Sequence, residues 1–331
     1  MLLKCGKEGL EIKRNYLFFI ILSVALTIGG CTSNKKDIDD SKQSSQGNEL
    51  VVGTFNIDIK APDVKVEDQR KLLSDKGVEI FGIQEVIQNT KRYAERENYD
   101  PLEDFQIQPY VFSFFGNSVD FASGGYGNAI ILKYQLTDES VVPLYSAEDA
   151  PSAIQTEFLE VYKSVNYKDQ ESVDAFKSAW GPKGLVAQGA IEPRSYSRAV
   201  INKEGKNIAF YVTHLSVESV DVRKKQFQQL KKAMDNDTTT YKILVGDFNT
   251  DDGINEYDIF NEGYKLANGH EGVWLETMAE EDFARKAVDS NLKVKFLDNV
   301  IVSDNIEIKK VETLKTNLSD HLPLIVRLEL K

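Results

Sequence analysis

Residues 319–323 read Ser319-Asp320-His321-Leu322-Pro323 and stand just before the last strand-like run of this 331-residue chain. Five earlier apolar runs stop in the same way, at a carboxylate, an amide or an imidazole: Thr54-Phe55-Asn56-Ile57, Gln84-Glu85-Val86, Thr213-His214-Leu215, Gly246-Asp247-Phe248-Asn249 and Leu297-Asp298-Asn299-Val300. Two of the chain's three histidines lie in these stops. Because a rigid sheet holds the side chains at its strand ends, the repeated stops predict one polar site at a sheet edge.

Strand-like and helix-like segments alternate from Glu49 onward. The turn at residues 204–206 is typical of a hairpin, so antiparallel pairs are expected and the sheets are not purely parallel. Many strands with helices between them indicate an α/β fold of two packed mixed β-sheets with helical outer layers. The predicted strands cover residues 50–57, 78–83, 110–115, 127–132, 199–202, 208–213, 243–245, 296–303, 306–311 and 324–330, and the predicted helices cover 64–76 and 221–234.

The connection at residues 143–190 is too long for an ordinary loop between two strands. Helical spacing at residues 154–165 and 172–180 indicates that it carries secondary structure of its own. The pattern leaves two interpretations open, a wall of the polar site or a structural flap.

The composition is that of a soluble globular protein, with 41% hydrophobic and 28% charged residues. The formal net charge of -12 disfavours a broad polyanion-binding surface, because such surfaces carry an excess of basic residues. It is compatible with a small site in which a metal ion neutralises a substrate phosphate.

The N-terminal segment is typical of an export signal. Lys13 and Arg14 precede an uncharged apolar run at residues 15–30, which is shorter than the roughly 20 residues of a membrane-spanning helix. Ile28-Gly29-Gly30-Cys31 resembles the bacterial lipoprotein cleavage box, and the alternative is an uncleaved anchor with an incidental cysteine. We therefore expect removal of residues 1–30, lipidation of Cys31, a flexible polar tether at residues 31–48 and a catalytic domain at residues 49–331. The expected location is the outer face of the bacterial cytoplasmic membrane.

Two of the strand stops suit metal binding and base catalysis. Glu85 ends a buried strand, where a carboxylate is costly unless it is paired or binds a cation such as Mg²⁺. Asp247 and Asn249 follow a buried strand, and continued strand alternation would place both on the same side. A carboxylate beside an amide suits a base that polarises water next to a donor for a phosphate oxygen. The alternatives are a solvated strand end for Glu85 and an ordinary turn for the other two residues.

His214 and His321 are the acid–base candidates. Each follows or precedes a strand in a segment that carries carboxylates, and such an imidazole is held in one tautomer and donates to a phosphate or a leaving oxygen. A structural histidine is the alternative in each case.

The basic residues of the chain offer two further candidate contacts with phosphate. Arg194 and Arg198 flank a strand start, where either could clamp a phosphate, and an ordinary surface arginine is the alternative. Arg223, Lys224 and Lys225 open the helix after His214 and are interpreted as its solvated face, with a modest polyanion-binding rail as the alternative.

Together, these residues resemble the endonuclease/exonuclease/phosphatase family of metal-dependent phosphoesterases, which includes secreted DNases and sphingomyelinases. The ordered signatures of that family are TFNI-like, QE, GNAI-like, T/SHL, GDFN, ID-like and terminal SDHxP boxes. Here they occur at Asn56, Glu85, Gly127-Asn128-Ala129-Ile130, His214, Asp247 with Asn249, Asp298, and Asp320 with His321. The resemblance covers residues 50–331 except the insertion at 143–190. Arg198 matches a family arginine only loosely, and Asn299 stands where the family often has Tyr or His.

The resemblance implies a DNase I-like four-layer α/β-sandwich with one polar cleft and assigns roles to its residues. Asp247 would orient and deprotonate the attacking water, and His321, buttressed by Asp298 or Asp320, would stabilise the pentacovalent state together with His214. The implied metal ligands are Glu85 and Asp320, and the metal is Mg²⁺, with Mn²⁺ or Ca²⁺ as alternatives. The implied contacts with phosphate come from Asn249, Asn56, Asn128 and Arg198.

The sequence therefore predicts a monomeric, lipid-anchored, Mg²⁺-dependent phosphoesterase that acts on phosphodiesters, with DNA as the leading substrate. The absence of an extended basic tract counts against avid duplex binding. The alternatives are a phospholipid headgroup hydrolase of the sphingomyelinase kind, which the membrane tether would suit, and a hydrolase of small phosphoesters. A lipid-anchored ligand-binding protein is the non-enzymatic alternative, and it leaves the strand-end acids and imidazoles unexplained.

Overall fold

Twelve β-strands form two sheets in the computed structural model, which describes residues 47–58, 66–92, 98–146, 152–180, 183–250, 253–280 and 294–331. The strands are β1 (Glu49–Asn56), β2 (Ile80–Gln88), β3 (Phe112–Phe121), β4 (Gly124–Leu132), β5 (Leu136–Pro143), β6 (Ser195–Lys203), β7 (Lys206–His214), β8 (Tyr241–Asp247), β9 (Tyr264–Leu266), β10 (Asp298–Ser303), β11 (Ile306–Thr313) and β12 (Leu324–Leu330). The first sheet has the order β11-β12-β1-β2-β4-β3, and the second has the order β5-β6-β7-β8-β10-β9.

The described α-helices lie outside the sheets. They are α1 (Val66–Asp75), α2 (Pro101–Phe105), α3 (Ser152–Ser164), α4 (Gln170–Trp180) and α5 (Val220–Asn236). Short 3-10 turns occupy Val186–Gln188, Gly253–Phe260 and His270–Gly272. None of these described helices is long and apolar enough to cross a membrane.

The polar strand ends meet because each sheet is built around one parallel pair. β1 and β2 run parallel in the first sheet, and β7 and β8 run parallel in the second, so the carboxyl ends of each pair lie at one edge. β12 is antiparallel to β1, with Leu324 opposite Thr54, and β10 is antiparallel to β8, with Asp298 opposite Asp247. The starts of β12 and β10 therefore lie beside the ends of β1 and β8.

Successive residues of each strand face different layers, as the period of two along a strand requires. Val52 of β1 and Val245 of β8 lie in the core between the two sheets. The preceding residue of β1, Val51, lies on the outer face of the first sheet, which α1, α3 and α4 cover. On the outer face of the second sheet, Leu244 packs with Phe227 of α5. The layers therefore follow the order helix, sheet, sheet, helix, and the predicted four-layer α/β-sandwich is confirmed.

Residues 152–180 of the insertion pack on the outer face of the first sheet. Phe158 and Tyr162 of α3 join the outer core of that sheet together with Phe121 of β3. The side chain of Gln155 donates to the carbonyl of Ile191 (2.9 Å) and accepts its N–H (3.0 Å), which ties α3 to the segment that enters β6. Of the two interpretations that the sequence left open, the structure supports the wall, because Tyr162, Tyr167, Phe176 and Trp180 line the cavity that Asp247 also lines.

The interpretation of Arg223 as a solvated residue of α5 is wrong. Its side chain is fully buried, and its Nε and Nη2 donate to the two carboxylate oxygens of Glu256 at 2.7 and 3.1 Å. The planar guanidinium of Arg223 matches the two oxygens of the Glu256 carboxylate, which allows the charge of Arg223 to be buried. Lys225 lies over the ring of Tyr145, with its Nζ 4.0 Å from the ring centroid. Arg223 is therefore a structural residue and not part of a polyanion-binding rail.

Candidate active site

Asp247 is the centre of the polar site, at the last position of β8. Its side chain is only 1% exposed. Its Oδ2 accepts a hydrogen bond from Asn56 Nδ2 (3.1 Å) and lies 3.4 Å from His214 Nε2 and 3.5 Å from His321 Nε2. Gly246 allows the close approach of β7 and β8 beneath it, because a Cβ at Gly246 would lie 2.2 Å from the carbonyl oxygen of Thr213. Four separate strand stops thus converge on one carboxylate.

Glu85 is turned toward this site by a β-bulge. β2 and β4 lose their register between Ile83 and Val86, and Glu85 itself has a left-handed backbone with a φ of 60°. Bulges beside active sites commonly redirect a side chain, and a left-handed non-glycine residue is a strained conformation that the surrounding structure must hold. Asn56 Nδ2 donates to Glu85 Oε1 at 3.0 Å as well as to Asp247, so one amide bridges the two carboxylates.

His321 and Asp298 form a buried pair on the opposite side of Asp247. His321 Nδ1 lies 2.8 Å from Asp298 Oδ2, and both side chains are buried. Because the carboxylate accepts from Nδ1, the second ring nitrogen, Nε2, faces Asp247 and the site. Of the two buttresses that the sequence left open for His321, Asp298 makes the hydrogen bond.

Asn249 reaches the site by a turn and not by continued strand geometry. β8 ends at Asp247, Asn249 has a left-handed backbone with a φ of 48°, and its N–H donates to Asp247 Oδ1 at 3.0 Å. Its Nδ2 donates to the carbonyl of Leu215 (2.9 Å) and lies 2.9 Å from His214 Nε2. Asn249 therefore joins the backbone after β7 to the imidazole of His214. The predicted strand alternation fails here, yet the side chain arrives at the predicted site.

The remaining predicted residues lie at different distances from this cluster. Asp320 is buried beside His321, and its carbonyl accepts from the N–H of Ala279 (3.0 Å). Asn128 donates to the carbonyl of Ser195 at 3.3 Å and thus joins β4 to the start of β6. Arg198 is not brought into the cluster. Its guanidinium bonds the carboxylates of Asp237 and Asp138, each at 2.7 Å.

Arg194, the other arginine considered from the sequence, does line the site. It borders a cavity of about 410 Å³ together with Glu85, Asp247 and His321. Its Nη2 donates to Glu192 Oε2 at 2.8 Å, and its buried Nε has no hydrogen-bond partner among the described residues. A buried guanidinium with an unused donor beside a carboxylate cluster is suited to an anionic ligand.

Two side chains that sequence reasoning missed hold the cluster in place. Thr277 Oγ1 accepts the N–H groups of Leu297 and Asp298, both at 3.0 Å. Gln69 of α1 donates to the carbonyls of Ile57 (3.0 Å) and Leu318 (2.8 Å), which joins the end of β1 to the loop before Asp320. Gln69 had a sequence signal, because it lies three residues after Val66 and four before Leu73 on the apolar face of α1. Thr277 had none.

The buried charges shift the pKa values of Asp247 and His321. Burial raises the pKa of Asp247 to about 6, against the opposing charge of His321 and with a further rise from Asp298. Burial lowers the pKa of His321, but the carboxylates of Asp298 and Asp247 outweigh it and raise that pKa to about 10. At neutral pH His321 is therefore a cation, and Asp247 is a carboxylate with a proton affinity close to that of water-activating bases.

The donor set fits a hard divalent cation held by oxygen ligands. Asp247, Asp298 and His321 offer ligand atoms within 4.8 Å of one another, but Nδ1 of His321 is bonded to Asp298 and the imidazole is protonated. The ligands left are the oxygens of Glu85 and Asp247, which both line the cavity, with Asn56 between them. Carboxylate and amide oxygens are the ligands of Mg²⁺ and similar ions.

Comparisons with known proteins identify the family and the fold. Residues 53–321 match the model of the endonuclease/exonuclease/phosphatase family, so the chain belongs to that family. A family member from Bacteroides vulgatus has the same fold at 19% identity (TM-score 0.57; 86% of this chain and 99% of that chain covered). So do humanized D. rerio TDP2 at 13% identity (TM-score 0.56; 85% and 99%) and a mannosyl-6-phosphatase from Bacteroides thetaiotaomicron at 16% (TM-score 0.54; 84% and 99%). No curated protein matches the sequence.

Proposed function

We propose that this member of the endonuclease/exonuclease/phosphatase family is a divalent-metal-dependent phosphodiesterase in which Asp247 activates the attacking water. The observation that carries the proposal is the convergence of Asn56, His214 and His321 on a single buried carboxylate oxygen that borders a cavity. A carboxylate held by three polar groups from separate strands has a fixed direction toward the cavity. Such a fixed base beside hydrogen-bond donors is the arrangement that hydrolysis by water requires.

Asp247 acts first, as the base. Its Oδ1 accepts from the N–H of Asn249 and its Oδ2 from Asn56, and the carboxylate borders the cavity from which a water molecule would approach. With a pKa of about 6 the carboxylate is ionised at neutral pH and accepts a proton from that water as it attacks phosphorus.

His321 and His214 act on the phosphoryl oxygens. His321 is a cation whose Nδ1–H is taken by Asp298, so its Nε2–H is the donor available to an oxygen that gains negative charge in the transition state. His214 is held by Asn249, and its Nε2 lies 3.4 Å from Asp247 Oδ2. Arg194 supplies a second positive charge to the same cavity.

Glu85 and Asn56 are the residues that would hold the metal with Asp247, and Asp320 lies beside them in the sequence-based assignment. Among the described residues, the cluster contains the carboxyl groups of Glu85, Asp247, Asp298 and Asp320 against one imidazolium. Such an excess of buried acidic groups is costly without a cation. A bound divalent ion would offset the negative charge that develops on the phosphoryl group and on the leaving oxygen.

Phosphodiesters are the proposed substrate class, and DNA is the first member to test. One related structure is described as D. rerio TDP2 complexed with a single-strand DNA product, and another as a mannosyl-6-phosphatase. Both descriptions fit hydrolysis of a phosphoester in a site of this fold. The cavity of about 410 Å³ accommodates a phosphate with one attached group and not a duplex, so a DNA substrate would enter as a single strand or a terminal nucleotide.

The proposed location follows from the sequence. The export signal at 1–30, Cys31 and most of the tether at 31–48 lie outside the described residues, and they support a monomeric enzyme anchored by lipid to the outer face of the cytoplasmic membrane. A tether of this kind would leave the cavity accessible to substrates outside the cell.

The test is hydrolysis by a soluble protein of residues 49–331. Plasmid nicking and release of p-nitrophenolate from bis-p-nitrophenyl phosphate are measured with Mg²⁺, with EDTA and in the Asp247→Ala variant. We expect metal-dependent turnover that falls by about 10²–10⁴-fold or more in Asp247→Ala. Asp304→Ala, an exposed aspartate in the turn after β10, is the matched control and should retain full activity. Equal rates in Asp247→Ala and Asp304→Ala would exclude Asp247 as the base.

A further inference from the structure

Six aromatic side chains line the cavity beside the catalytic cluster, and we call this surface the aromatic pocket. Phe121 lies at its centre, with ring centroids of Tyr162, Phe176, Tyr126 and Tyr167 at 5.3, 5.8, 6.0 and 6.3 Å. Trp180 completes it, 6.0 Å from Tyr162, and is 37% exposed. Such a cluster, continuous with Glu85, Asp247 and His321 in one cavity, lies where a group attached to the phosphate would extend.

Four of the six side chains come from the insertion. Tyr162 belongs to α3, Tyr167 to the connection after it, and Phe176 and Trp180 to α4. The catalytic residues come instead from the strand stops of the two sheets. The insertion therefore supplies most of the wall that contacts the variable part of a substrate, and it leaves the reacting centre to the sheets.

Two arginines line the aromatic pocket, and one of them, Arg194, is paired with Glu192. Arg92 lies over the rings of Tyr167 and Phe121, with its guanidinium carbon 5.3 and 5.7 Å from their centroids. Arg194 is buried at the other side, with its Nε unpartnered among the described residues. Guanidinium planes and aromatic rings both stack on flat π-systems, and the charges attract the phosphate that carries the ring.

We propose that the aromatic pocket binds a planar aromatic ring carried by the phosphoester that is hydrolysed at Asp247. The ring is that of a nucleobase or of a phenol, which share this flat π-surface. The inference rests on the proposed function, since it places the ring on the same molecule as the scissile phosphate. Phe176, Tyr167 and Trp180 are then the residues that determine specificity.

The chemistry of the pocket favours a ring over a sugar or an acyl chain. A sugar needs several fixed polar partners for its hydroxyls, whereas six of the lining side chains are aromatic and Glu192 already accepts from Arg194 (2.8 Å) and from the hydroxyl of Tyr162 (3.0 Å). An acyl chain suits an aliphatic lining, whereas the aliphatic side chains of this cavity, those of Val217, Met278 and Leu297, are fewer than its aromatic ones. The volume holds a phosphate with one ring system.

The first test uses Trp180 as a reporter of binding. The chain has two tryptophans, and Trp274 packs against Phe296 and is not part of the cavity lining, so Trp274→Phe leaves Trp180 as the single tryptophan. This variant is titrated in the presence of Mg²⁺ with each of four probes. The affinity for phenylphosphonate is compared with that for methylphosphonate, and the affinity for AMP with that for ribose 5-phosphate. We expect quenching and at least about 5-fold tighter binding for at least one ring-bearing probe over its ringless partner, because stacking on an aromatic side chain contributes that much or more.

The second test locates the ring by inhibition of bis-p-nitrophenyl phosphate hydrolysis. Two ratios of inhibition constants are compared in wild type, Phe176→Leu and Lys177→Ala. The first is that of methylphosphonate to phenylphosphonate, and the second is that of ribose 5-phosphate to AMP. Leucine keeps an apolar side chain at position 176 but removes the aromatic face, and Lys177 is the exposed neighbour on the same helix. We expect the preference for the ring to fall several-fold in Phe176→Leu and to be unchanged in Lys177→Ala.

Each outcome decides between the ring and its alternatives. Selectivity for phenylphosphonate alone supports a phenolic ring, and selectivity for AMP alone supports a nucleobase. Equal affinity for every ring-bearing and ringless pair, or an unchanged preference in Phe176→Leu, would overturn the proposal. A folded protein that binds rings but hydrolyses no phosphodiester would refute the proposed function separately, because the fluorescence titration does not depend on turnover.

Discussion

His321 carries a positive charge inside the protein because acidic groups surround it. Asp298 accepts from its Nδ1, Asp247 faces its Nε2, and Asp320 is its neighbour in the chain. These carboxylates overcome the cost of burying the imidazolium. The charge that the reaction uses is therefore also a term in the stability of the fold.

That term predicts how the stability of the metal-free protein changes with pH. The folded-state pKa of His321 is raised from 6.5 to about 10, so its contribution is fully present below pH 6.5 and is lost as the pH rises toward 10. We expect the Tm of EDTA-dialysed protein to fall across this window and the fall to be smaller in His321→Gln. Thermal unfolding followed by circular dichroism from pH 6 to 10 measures both. Parallel curves for the two proteins would show that His321 is not charged in the fold.

Thr277 is predicted to contribute both to the stability of the fold and to the activity of the site. Replacing it with valine removes the oxygen that accepts the N–H groups of Leu297 and Asp298 and leaves two buried donors without a partner. We expect Thr277→Val to lose about 1–3 kcal/mol of unfolding free energy and to lower kcat, because Asp298 no longer holds His321 in place. Thr313→Val, at the end of β11, is the control and should stay within about 0.5 kcal/mol of wild type.

At the scale of single residues, the sequence predicted the side chains that end strands and failed where the position along a strand matters. Asn56, Glu85, His214, Asp247 and His321 could be identified because an apolar run stops at each of them. The choice between Arg194 and Arg198 could not be made, since it depends on where β6 begins: Arg194 precedes the strand and Arg198 lies within it. Thr277 acts through its hydroxyl on distant backbone groups, and no local pattern predicts such a contact.

The parallel pair β7–β8 brings His214 and Asp247 together, and Gly246 permits their spacing. A Cβ at this position would press on the backbone carbonyl of Thr213 at 2.2 Å, which no side-chain rotation relieves. We expect Gly246→Ala to destabilise the fold by about 1–3 kcal/mol and to reduce turnover by separating the two strand ends. Gly53→Ala on β1 is the matched control, because its Cβ would meet its nearest atom at 3.4 Å, an ordinary contact. Similar losses in unfolding free energy and kcat for both variants would contradict the role of the close approach.

At the scale of elements, strands dense in apolar residues were predictable, whereas the edge strands β5 and β9 were not. β1, β8 and β12 are dense in apolar residues, whereas β5 includes Thr137, Asp138, Glu139 and Ser140 and lies at the edge of the second sheet. β9 has three residues and exists only through its pairing with β10. Whether such a segment forms a strand depends on the neighbouring strand that it pairs with. That strand is distant in the sequence, so the local pattern of residues does not predict the pairing. The bulge at Glu85 has the same origin, because it depends on the register between β2 and β4.

The whole molecule combines an acidic chain with a cavity that needs positive charge. The net charge is -12, and the proposed substrate pocket is lined by Arg92, Arg194 and the His321 cation beside Glu85, Glu192 and Asp247. A divalent ion would add positive charge there. An acidic surface does not attract long polyanions, whereas a small enclosed site can still bind one phosphate. This distribution favours substrates with a single accessible phosphodiester over extended duplex DNA, and it agrees with the size of the cavity.

The attachment of this molecule to a membrane is predicted to depend on one cysteine. If Cys31 receives a diacylglycerol and becomes the first residue, its acyl chains hold the protein on the bilayer at about 0.8 kcal/mol for each buried CH₂. Expressed from the full sequence in a bacterium, wild type should fractionate with membranes, and Cys31→Ser should lose the lipid and leave the membrane fraction. Cys5→Ser is the matched control, because Cys5, the only other cysteine, lies in the segment expected to be removed. Cys31→Ser that stays in the membrane at unchanged mass would instead establish an uncleaved N-terminal anchor.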